Sequence, residues 1–517
     1  MAAAKSKDTK ETKELEQEHT LSHALKPLLT KSKYLIGLSC LRCLWKTVHA
    51  PDEVPEHSAS EQHRMDQGSL VGELARELFP GGVDASDKNF TASLEKSQEL
   101  VKSQVTLFEA GFKSEQLYAR SDILEPVGAG IFDLTEVKSS TSVKEEHIED
   151  VAFQKYCYEK AGLKIRNCYL LHINNKYVRN GKIKVKEFFV PEDITADVNA
   201  NIKGVPKNVA RMLQVISSAS CPSNVKDSVT CFDPFECPIR DDCWSFLPED
   251  SVFDLYGGKQ KAQDLFESGI LAIKDIPDDY KLNDKQMIQH GCIKAKKEHI
   301  HSEEIKRFLD TMKYPLYFLD FETFSASIPI HDGTRPYQQI PFQFSLHVIA
   351  KKGAKPKQYS YLAETSADPR KEFAEKLIEV LGDEGSIIAY NSGFEERVLK
   401  ELAEFLPKHH AKIMSYTERL VDLLQPFRDF YYYSPKQKGS ASLKVVLPAL
   451  TGRSYDDLEI CEGTSAALKF LHITQGSPGE TITKEEVKKV RKDLMDYCAL
   501  DTEGMIWIVE KLRKLSK

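Results

Sequence analysis

The stretch Tyr317-Phe318-Leu319-Asp320-Phe321-Glu322-Thr323 combines apolar residues with two carboxylates two positions apart. Its apolar residues predict a strand with buried neighbours. Side chains alternate between the two faces of a strand, so Asp320 and Glu322 are expected to point to the same side. Because adjacent carboxylates repel each other and are costly to bury without a partner, the pair indicates a bound cation. The alternative is an exposed edge strand with ordinary surface carboxylates.

The whole chain has the composition of a soluble globular protein. Its 517 residues are 41% hydrophobic and 29% charged, with a net charge of −7, and are enough for two or three domains. The acidic balance excludes a protein whose whole surface coats nucleic acid, but it allows nucleic-acid binding through local patches.

Three further patterns concern the setting of the protein. The chain contains no run of about eighteen apolar residues, so we expect no membrane span. Residues 1–8 lack the apolar segment of a signal peptide. The 11 cysteines are spread unevenly and do not form a pattern typical of a disulfide framework. We therefore expect a reducing, cytoplasmic setting in which cysteines are buried or bind metal.

Changes in pattern divide the chain into four segments. Residues 1–25 predict a mobile tail. Residues 26–250 mix predicted helices and strands, and residues 306–517 alternate between the two. Between them, residues 251–305 have a helical pattern, which indicates either a helix-hairpin-helix-like module that grips a phosphate backbone or a helical spacer. In the segment 26–250 we predict helices over 68–79 and 147–161 and strands over 104–112, 117–124, 131–138, 163–173 and 184–190.

Two carboxylates and a lysine lie on neighbouring predicted strands of this segment. Asp122 is expected to end one strand, while Glu136 and Lys138 share a face of the next, with the glycine turn Gly128-Ala129-Gly130 between the strands. Hydrolysis of a phosphodiester needs carboxylates that hold Mg²⁺ and benefits from a nearby ammonium group. The alternative interpretation is an ordinary salt-bridged hairpin.

Gln154 and Tyr158 share one face of the following predicted helix. With them, the segment resembles the RecB-like branch of the PD-(D/E)XK nucleases, whose motif is Asp…Glu-x-Lys followed by Gln-x-x-x-Tyr. The resemblance implies a restriction-endonuclease-like fold in which Asp122 and Glu136 hold Mg²⁺ or Mn²⁺. The catalytic residues that it implies are Asp122, Glu136, Lys138, Gln154 and Tyr158.

Two nearby positions complete this comparison. Glu109, on the preceding predicted strand, is a further candidate carboxylate. Members of the branch often carry a metal-binding histidine on an upstream helix. In this chain the equivalent region carries Gly72-Glu73, and the closest histidine is His63.

Three cysteines recur with five residues between successive members, at Cys231, Cys237 and Cys243, in a segment expected to be irregular. Iron–sulfur clusters and zinc both use such thiolates, and structural thiols are a third interpretation. RecB-like nucleases with an iron–sulfur cluster use one N-terminal cysteine and three after the nuclease core. By this resemblance we expect a [4Fe–4S] cluster on Cys40, Cys231, Cys237 and Cys243, with Cys43 as an alternative ligand and zinc as the alternative metal.

Further acidic motifs follow the opening stretch in chain order. Asn391 and Glu395 lie in a predicted strand, turn and helix start over 386–395. Asp422 follows apolar residues at the end of another element. Tyr497 and Asp501 share one face of a predicted helix.

Together these motifs resemble the DEDD exonucleases, which have an RNase H-like fold that polymerase proofreading domains also use. The resemblance implies two metal ions held by four carboxylates and a water positioned by Tyr497. The implied metal ligands are Asp320, Glu322, Glu395 and Asp501, with Asp422 as a further candidate. The superfamily usually has Asp where this chain has Glu395, whose extra methylene displaces the carboxylate by more than about 1 Å and can weaken the metal geometry.

The stretches 317–324, 390–391 and 439–448 also resemble the bacterial domain of unknown function 2779. Its members often fuse a RecB-like nuclease with clustered cysteines to such a C-terminal module. We therefore expect an α/β protein with a PD-(D/E)XK domain and an RNase H-like domain, each with a mixed sheet flanked by helices.

The function predicted from these resemblances is a metal-dependent nuclease. It would hydrolyse phosphodiester bonds in DNA, with RNA as the other candidate substrate, and act as an exonuclease. The alternative hypothesis is a nucleic-acid-binding or scaffold protein whose nuclease folds have decayed.

Overall fold

The computed structural model describes residues 27–223, 231, 237–460, 462–476 and 482–517. The predicted mobile tail, residues 1–25, lies outside the described residues. The chain separates into two compact units. The N-terminal unit consists of residues 1–56, 66–177 and 182–245, and the C-terminal unit consists of residues 57–65, 178–181 and 246–517. Both combine mixed sheets with helices, which confirms the α/β class.

The described sheet of the N-terminal unit has seven strands. The strands are β1 Leu29–Thr30, β2 Val83–Asp84, β3 Leu107–Ser114, β4 Leu117–Gly128, β5 Ile131–Lys138, β6 Lys164–Ile173 and β7 Phe189–Asp193. The helices described up to residue 245 are α1 Lys31–Ser39, α2 Leu41–His49, α3 Ala59–Ala75, α4 Phe90–Leu100, α5 Glu145–Lys160, α6 Val185–Phe188, α7 Thr195–Asn201, α8 Val205–Ile216 and α9 Arg240–Cys243.

Strands β3, β4 and β5 form an antiparallel meander, and α5 then leads to β6, which is parallel to β5. The sheet order is β2-β3-β4-β5-β6-β7, with the short β1 parallel to the start of β4. A two-residue turn joins Gly128 to Ile131, and Gly130 in it has a φ of +70° that favours glycine. Apolar residues of α5 pack into the core, so its polar residues are placed beside β4 and β5.

Two predicted elements of this unit differ in the structure. The strand expected over 184–190 is wrong in its first part, because Val185–Phe188 forms a helical turn and only Phe189–Asp193 pairs with β6. Burial of Phe188 against the core overrides the local strand pattern. The helix expected over 68–79 begins earlier, at Ala59, and ends at Ala75.

The C-terminal unit contains a five-stranded and a two-stranded sheet among its described residues. The strands are β8 His299–Ile300, β9 Leu316–Phe324, β10 Ile340–Ile349, β11 Lys357–Leu362, β12 Ser386–Ala389, β13 Leu420–Asp422 and β14 Tyr432–Tyr433. The helices are α10 Lys259–Glu267, α11 Asp284–Ala295, α12 Ser302–Asp310, α13 Arg370–Val380, α14 Gly393–Phe405, α15 His410–Thr417, α16 Gln425–Arg428, α17 Leu443–Thr451, α18 Gly463–Gln475 and α19 Lys484–Leu515.

Strand β9 is the centre of the larger sheet, whose order is β11-β10-β9-β12-β13. Strand β10 is antiparallel to β9 and β11, whereas β12 is parallel to both β9 and β13. The apolar residues that predicted a strand are buried in the core, among them Phe318, Leu319 and Phe321. Helix α19 packs against β9 and β10.

The segment 251–305 belongs to the C-terminal unit. After α10 and the turn at Gly269, the chain forms only a three-residue 3₁₀ turn, Ile273–Asp275, before α11. None of the described helices combines the length and the apolar character that crossing a lipid bilayer requires.

Candidate active sites

Asp320, Glu322 and Asp501 form a compact carboxylate cluster in the C-terminal unit. One oxygen of each lies within 4.8 Å of the others, and in the described part of the chain no other group of three His, Cys, Asp or Glu ligands is this close. Strand β9 supplies Asp320 and Glu322 at the predicted spacing, and α19 supplies Asp501. The structure thus brings the first and last predicted motifs together.

Burial makes the ionised form of this cluster costly. It raises the pKa of Glu322 to about 8, helped by repulsion from Asp501, and raises that of Asp501 to about 6. The pKa of Asp320 is also well above its usual value because of burial and the neighbouring carboxylates. A raised pKa means that these carboxyls hold their protons more tightly than usual, and a bound cation would favour the ionised form by compensating its negative charge.

Glu395, near the start of α14, is a fourth buried carboxylate. Its negative charge contributes to the raised pKa of both Asp320 and Glu322, so it lies within electrostatic range of the cluster. Its Oε2 atom is buried and has no hydrogen-bond partner, and burial raises its own pKa to about 8. A buried acceptor without a donor indicates a missing partner. Carboxylate oxygens are ligands that suit Mg²⁺ and Mn²⁺, so the four residues fit such ions.

Three tyrosine and cysteine side chains hold the cluster. The Tyr455 hydroxyl donates a 2.5 Å hydrogen bond to Oδ1 of Asp501, and the buried Tyr497 is also hydrogen-bonded to Asp501. The Cys498 thiol lies 3.4 Å from Oδ2 of Asp320 and donates to it. Tyr497 was predicted from its spacing to Asp501, whereas Tyr455 and Cys498 carry no sequence signal of their own.

Asp422, the further candidate ligand, lies within electrostatic range of Glu395 and also contacts the backbone of the turn before α14. Its carboxylate accepts hydrogen bonds from the backbone N–H groups of Asn391 and Leu424, at 2.9 and 3.0 Å. Asn391 has a φ of +67°, so this carboxylate stabilises a left-handed residue in the turn between β12 and α14. Asp422 therefore fixes the turn that carries Glu395.

The position of α19 is fixed from the sheet side. Thr502, next to Asp501, lies 2.8 Å from both the Ser345 hydroxyl and Nδ1 of His347 on β10. Gln343 on the same strand donates a 2.7 Å hydrogen bond to the carbonyl of Leu494. Ser345 is also paired with Asp320 across the sheet. Strand β10 therefore sets the positions of both β9, which carries Asp320, and α19, which carries Asp501.

A cavity of about 420 Å³ is lined by Lys436, Lys438 and Lys444, together with apolar residues of α17 such as Val445 and Pro448. Lys444, in the first turn of α17, lies 5.2 Å from the centre of the Tyr497 ring. Its positive charge lowers the pKa of both Glu322 and Asp501 against the effect of burial. Lys444 therefore connects the cavity with the carboxylates.

In the N-terminal unit the structure brings together four of the predicted residues. The Lys138 ammonium lies 2.7 Å from Oε1 of Glu136, and the Gln154 amide donates to Oε2 of the same carboxylate at 2.9 Å. Asp122 accepts a 2.7 Å hydrogen bond from the backbone of Val137. Burial and the charge of Glu136 raise the pKa of Asp122 to about 7. Asp122 does not end its strand, since β4 continues to Gly128.

Two residues of this N-terminal cluster were not predicted. Asp150 accepts hydrogen bonds from Lys138 at 2.6 Å and from Gln154 at 2.9 Å. It lies four residues before Gln154 on α5, so the helical period could identify it. Lys31, the first residue of α1, contacts Glu136 at 2.7 Å, and no local pattern identifies it.

Tyr158 and Glu109 make their contacts elsewhere. The Tyr158 hydroxyl donates to the carbonyl of Ala110 and accepts from the backbone N–H of Ser121, so it ties β3 to β4. Glu109 forms ion pairs with Arg76 at 3.3 Å and Arg120 at 2.9 Å. Both residues therefore support the meander on which Asp122 lies.

Five cysteines from the two ends of the N-terminal unit lie together. Cys40 accepts a 3.4 Å hydrogen bond from the backbone of Cys43. The Cys237 thiol is hydrogen-bonded to Cys43, whose pKa it lowers, and also to Cys231. Cys40 interacts electrostatically with Cys243. The soft sulfur donors fit an iron–sulfur cluster or zinc, and Cys43 is as well placed as Cys40. Residues 232–236 of the predicted irregular segment lie outside the described residues.

Comparison with known proteins agrees with part of this picture. The family called domain of unknown function DUF2779 matches residues 317–442, a range that contains Asp320, Glu322 and Glu395. This match confirms the predicted resemblance over that range. The fold and the site therefore define this chain as an α/β protein with a buried carboxylate cluster.

Three curated relatives carry the description uncharacterized protein. A protein of Ureaplasma parvum is 27% identical over 246 residues, which is 42% of this chain and 34% of its own length. One from Mycoplasma pneumoniae is 24% identical over 225 residues, covering 40% of this chain and 33% of its own length. One from Mycoplasma genitalium is 25% identical over 234 residues, covering 41% and 34%. The chain thus spans about a third of the length of these relatives.

Proposed function

We propose that this protein is a metal-dependent nuclease that hydrolyses phosphodiester bonds in DNA, or in RNA, at the cluster formed by Asp320, Glu322, Glu395 and Asp501. The observation that carries the proposal is the convergence of three carboxylate oxygens within 4.8 Å. The unpaired Oε2 of the buried Glu395 supports it. Carboxylates kept together at such a cost in burial are typical of a metal site.

The folds of both units support this assignment. In the C-terminal unit, the central strand of a mixed sheet carries the Asp-x-Glu pair, and two helices add the other carboxylates, which favours a DEDD-type, RNase H-like domain. In the N-terminal unit, the meander, α5 and the parallel β6 carry the Asp…Glu-x-Lys and Gln-x-x-x-Tyr motifs, which favours a PD-(D/E)XK domain.

The chemistry of the C-terminal site follows from its side chains. Divalent ions, when bound, neutralise the phosphate and make water a stronger nucleophile. Asp320, Glu322, Glu395 and Asp501 would hold them. Tyr455 and Cys498 orient Asp501 and Asp320 through their hydrogen bonds, and Tyr497 positions the attacking water. A new bond from water oxygen to phosphorus forms while the bond to the leaving 3′ oxygen breaks and that oxygen takes up a proton.

The proposal is tested with purified full-length protein and end-labelled substrates. We expect Mg²⁺ or Mn²⁺ to support stepwise shortening of single-stranded DNA or RNA from one end, and excess EDTA to abolish it. The same assay with double-stranded substrates shows which strand form is preferred. Failure to cleave any of the four substrates with either ion would contradict the proposed function.

The lysine-lined cavity supplies a path for the substrate backbone. We expect Lys436→Ala with Lys438→Ala to weaken binding of a single-stranded oligonucleotide, because both exposed lysines line the same cavity as Lys444, whose charge acts on Glu322 and Asp501. For single strands, each lost phosphate contact lowers the slope of log affinity against log salt by about 0.7. Fluorescence anisotropy at several salt concentrations measures this slope.

The matched control for this pair is Lys351→Ala with Lys352→Ala. These two lysines are also exposed but lie in the connection between β10 and β11, so their removal is expected to leave the slope unchanged. Equal slopes for the two double variants and the unmodified protein would exclude the cavity as the backbone path.

The clustered cysteines support a [4Fe–4S] cofactor, with zinc as the alternative. We expect protein purified without oxygen to be brown and to contain about four iron atoms per chain. Cys237→Ala should lose the colour and the iron, since Cys237 contacts two other cysteines. Cys292→Ala, a buried cysteine of the C-terminal unit, is the control. Colourless protein with stoichiometric zinc would contradict the cluster.

For the N-terminal unit a second candidate function is nucleic-acid binding without hydrolysis. Two ammonium groups, from Lys31 and Lys138, contact the same Glu136 oxygen at 2.7 Å. Because these ammonium groups compete with a divalent ion for Glu136, the arrangement favours a unit that binds nucleic acid without metal-dependent hydrolysis.

A further inference from the structure

The carboxylates of the N-terminal cluster are already neutralised by the protein. Both Glu136 oxygens are engaged, Oε1 by the ammonium groups of Lys31 and Lys138 and Oε2 by the Gln154 amide. Asp150 accepts from Lys138 through Oδ2 and from Gln154 through Oδ1, and the Lys31 ammonium lies 3.7 Å from Oδ1. The donors thus cover the positions through which these carboxylates would bind a metal.

The contrast with the C-terminal cluster is one of charge. Asp122, Glu136 and Asp150 face two ammonium groups, and all three carboxylates contribute to the electrostatic environment of Lys31. At Asp320, Glu322 and Asp501, the closest donors are two hydroxyls and a thiol, and Lys444 lies farther away. A divalent cation that enters the N-terminal cluster therefore meets two positive charges within a few ångströms of its ligands.

Lys31 is placed by the fold to make these contacts. It follows β1, which pairs with β4 beside the cluster, and it begins α1, whose N-terminus is capped by the Thr30 side chain. Its side chain is 24% exposed, whereas those of Glu136 and Asp150 are 2% and 1% exposed. Part of the Lys31 side chain therefore faces solvent, while the carboxylates lie in the core.

We propose that Lys31 is an internal counter-cation that occupies the divalent-metal position of the N-terminal cluster, so that Asp122 and Glu136 bind metal only after Lys31 moves away. This inference concerns metal binding by the N-terminal unit and does not depend on hydrolysis by the C-terminal unit.

The test measures Mn²⁺ binding in full-length protein that carries Asp320→Asn and Asp501→Asn, which remove ligands of the C-terminal cluster. Titration calorimetry, together with electron paramagnetic resonance of free Mn²⁺, gives the affinity of the remaining site. In this background we expect Lys31→Met to tighten Mn²⁺ binding at least about tenfold, because a charge in contact with two carboxylates is lost. Lys31→Arg keeps the charge and is expected to bind weakly.

Lys33→Met is the matched control on the same helix. The Lys33 ammonium donates to the carbonyl of Leu28 at 3.2 Å, so its loss should leave Mn²⁺ binding unchanged. Adding Glu136→Gln to Lys31→Met should remove the gained affinity, which assigns it to this cluster. In thermal melts without metal, Lys31→Met should have a lower melting temperature than the background protein, and Mn²⁺ should restore it. If Lys31→Met does not fold, Lys31→Gln replaces it in the same measurements.

Two results would overturn the proposal. One is that the background protein already binds Mn²⁺ at Glu136 as tightly as the Lys31→Met variant does. The other is that Lys31→Met and Lys31→Gln both fold but bind Mn²⁺ no more tightly than Lys33→Met. Neither result bears on cleavage by the unmodified protein, so failure here and failure of the proposed nuclease activity are distinguishable.

Discussion

Asp320→Asn is expected to lower metal-dependent hydrolysis at least about a thousandfold. The amide keeps the size of the side chain but removes the negative charge at the centre of the cluster. Asp320 lies next to both Glu322 and Asp501, so its loss should weaken the whole set of metal ligands. Single-turnover cleavage of an end-labelled strand, with a parallel Mn²⁺ titration, measures the rate and the metal affinity together. Asp501→Asn should behave in the same way.

The matched control for this prediction is Asp496→Asn. Asp496 lies on α19, one turn before the cluster, and its exposed carboxylate pairs with Lys492 at 2.7 Å. Exposed pairs of this kind contribute little to stability, so the variant should cleave like the unmodified protein. If Asp320→Asn kept full activity while Asp496→Asn lost it, the catalytic site would lie elsewhere.

Glu395→Gln is expected to stabilise the metal-free protein and to weaken its response to metal. Burial raises the folded-state pKa of Glu395 from 4.5 to about 8, so folding takes up a proton in this pH range. The stability contribution of this residue therefore falls as pH rises from about 4.5 to about 8 and levels off above that. Glutamine has no proton to lose, so the variant should gain on the order of 4 kcal/mol at pH 8 over the unmodified protein.

Urea unfolding at several pH values, with and without Mn²⁺, measures this effect. Without metal, the difference in free energy of unfolding should grow with pH. With Mn²⁺, the unmodified protein should gain more stability than the variant, because the ionised Glu395 then has a partner. Glu396→Gln is the control, since that neighbouring carboxylate is exposed and pairs with Lys400 at 2.6 Å. Identical pH profiles for the two variants would contradict a buried, titrating Glu395.

The strands that carry the candidate sites followed from local patterns. The apolar run around Asp320 and Glu322 predicts β9, and the spacing of two residues correctly places both carboxylates near each other. The interval between Tyr497 and Asp501 likewise fits one face of α19. These predictions succeed because a strand or helix has a fixed period, so relative side-chain direction follows from spacing alone.

The missed residues reach their sites through tertiary structure. Lys31 contacts Glu136 across 105 positions of chain, and Tyr455 reaches Asp501 from the connection between α17 and α18. No local period encodes such contacts. For the same reason, no local pattern shows that the Asp422 carboxylate holds the turn at Asn391.

The bonds between Thr502 and β10 have a consequence for how the C-terminal site tolerates change. They fix the axial position of α19 within one turn of Asp501, and α19 extends for 32 residues from Lys484 to Leu515. A change of one residue in length within the turn around Thr502 would therefore rotate Asp501 away from Asp320 and Glu322.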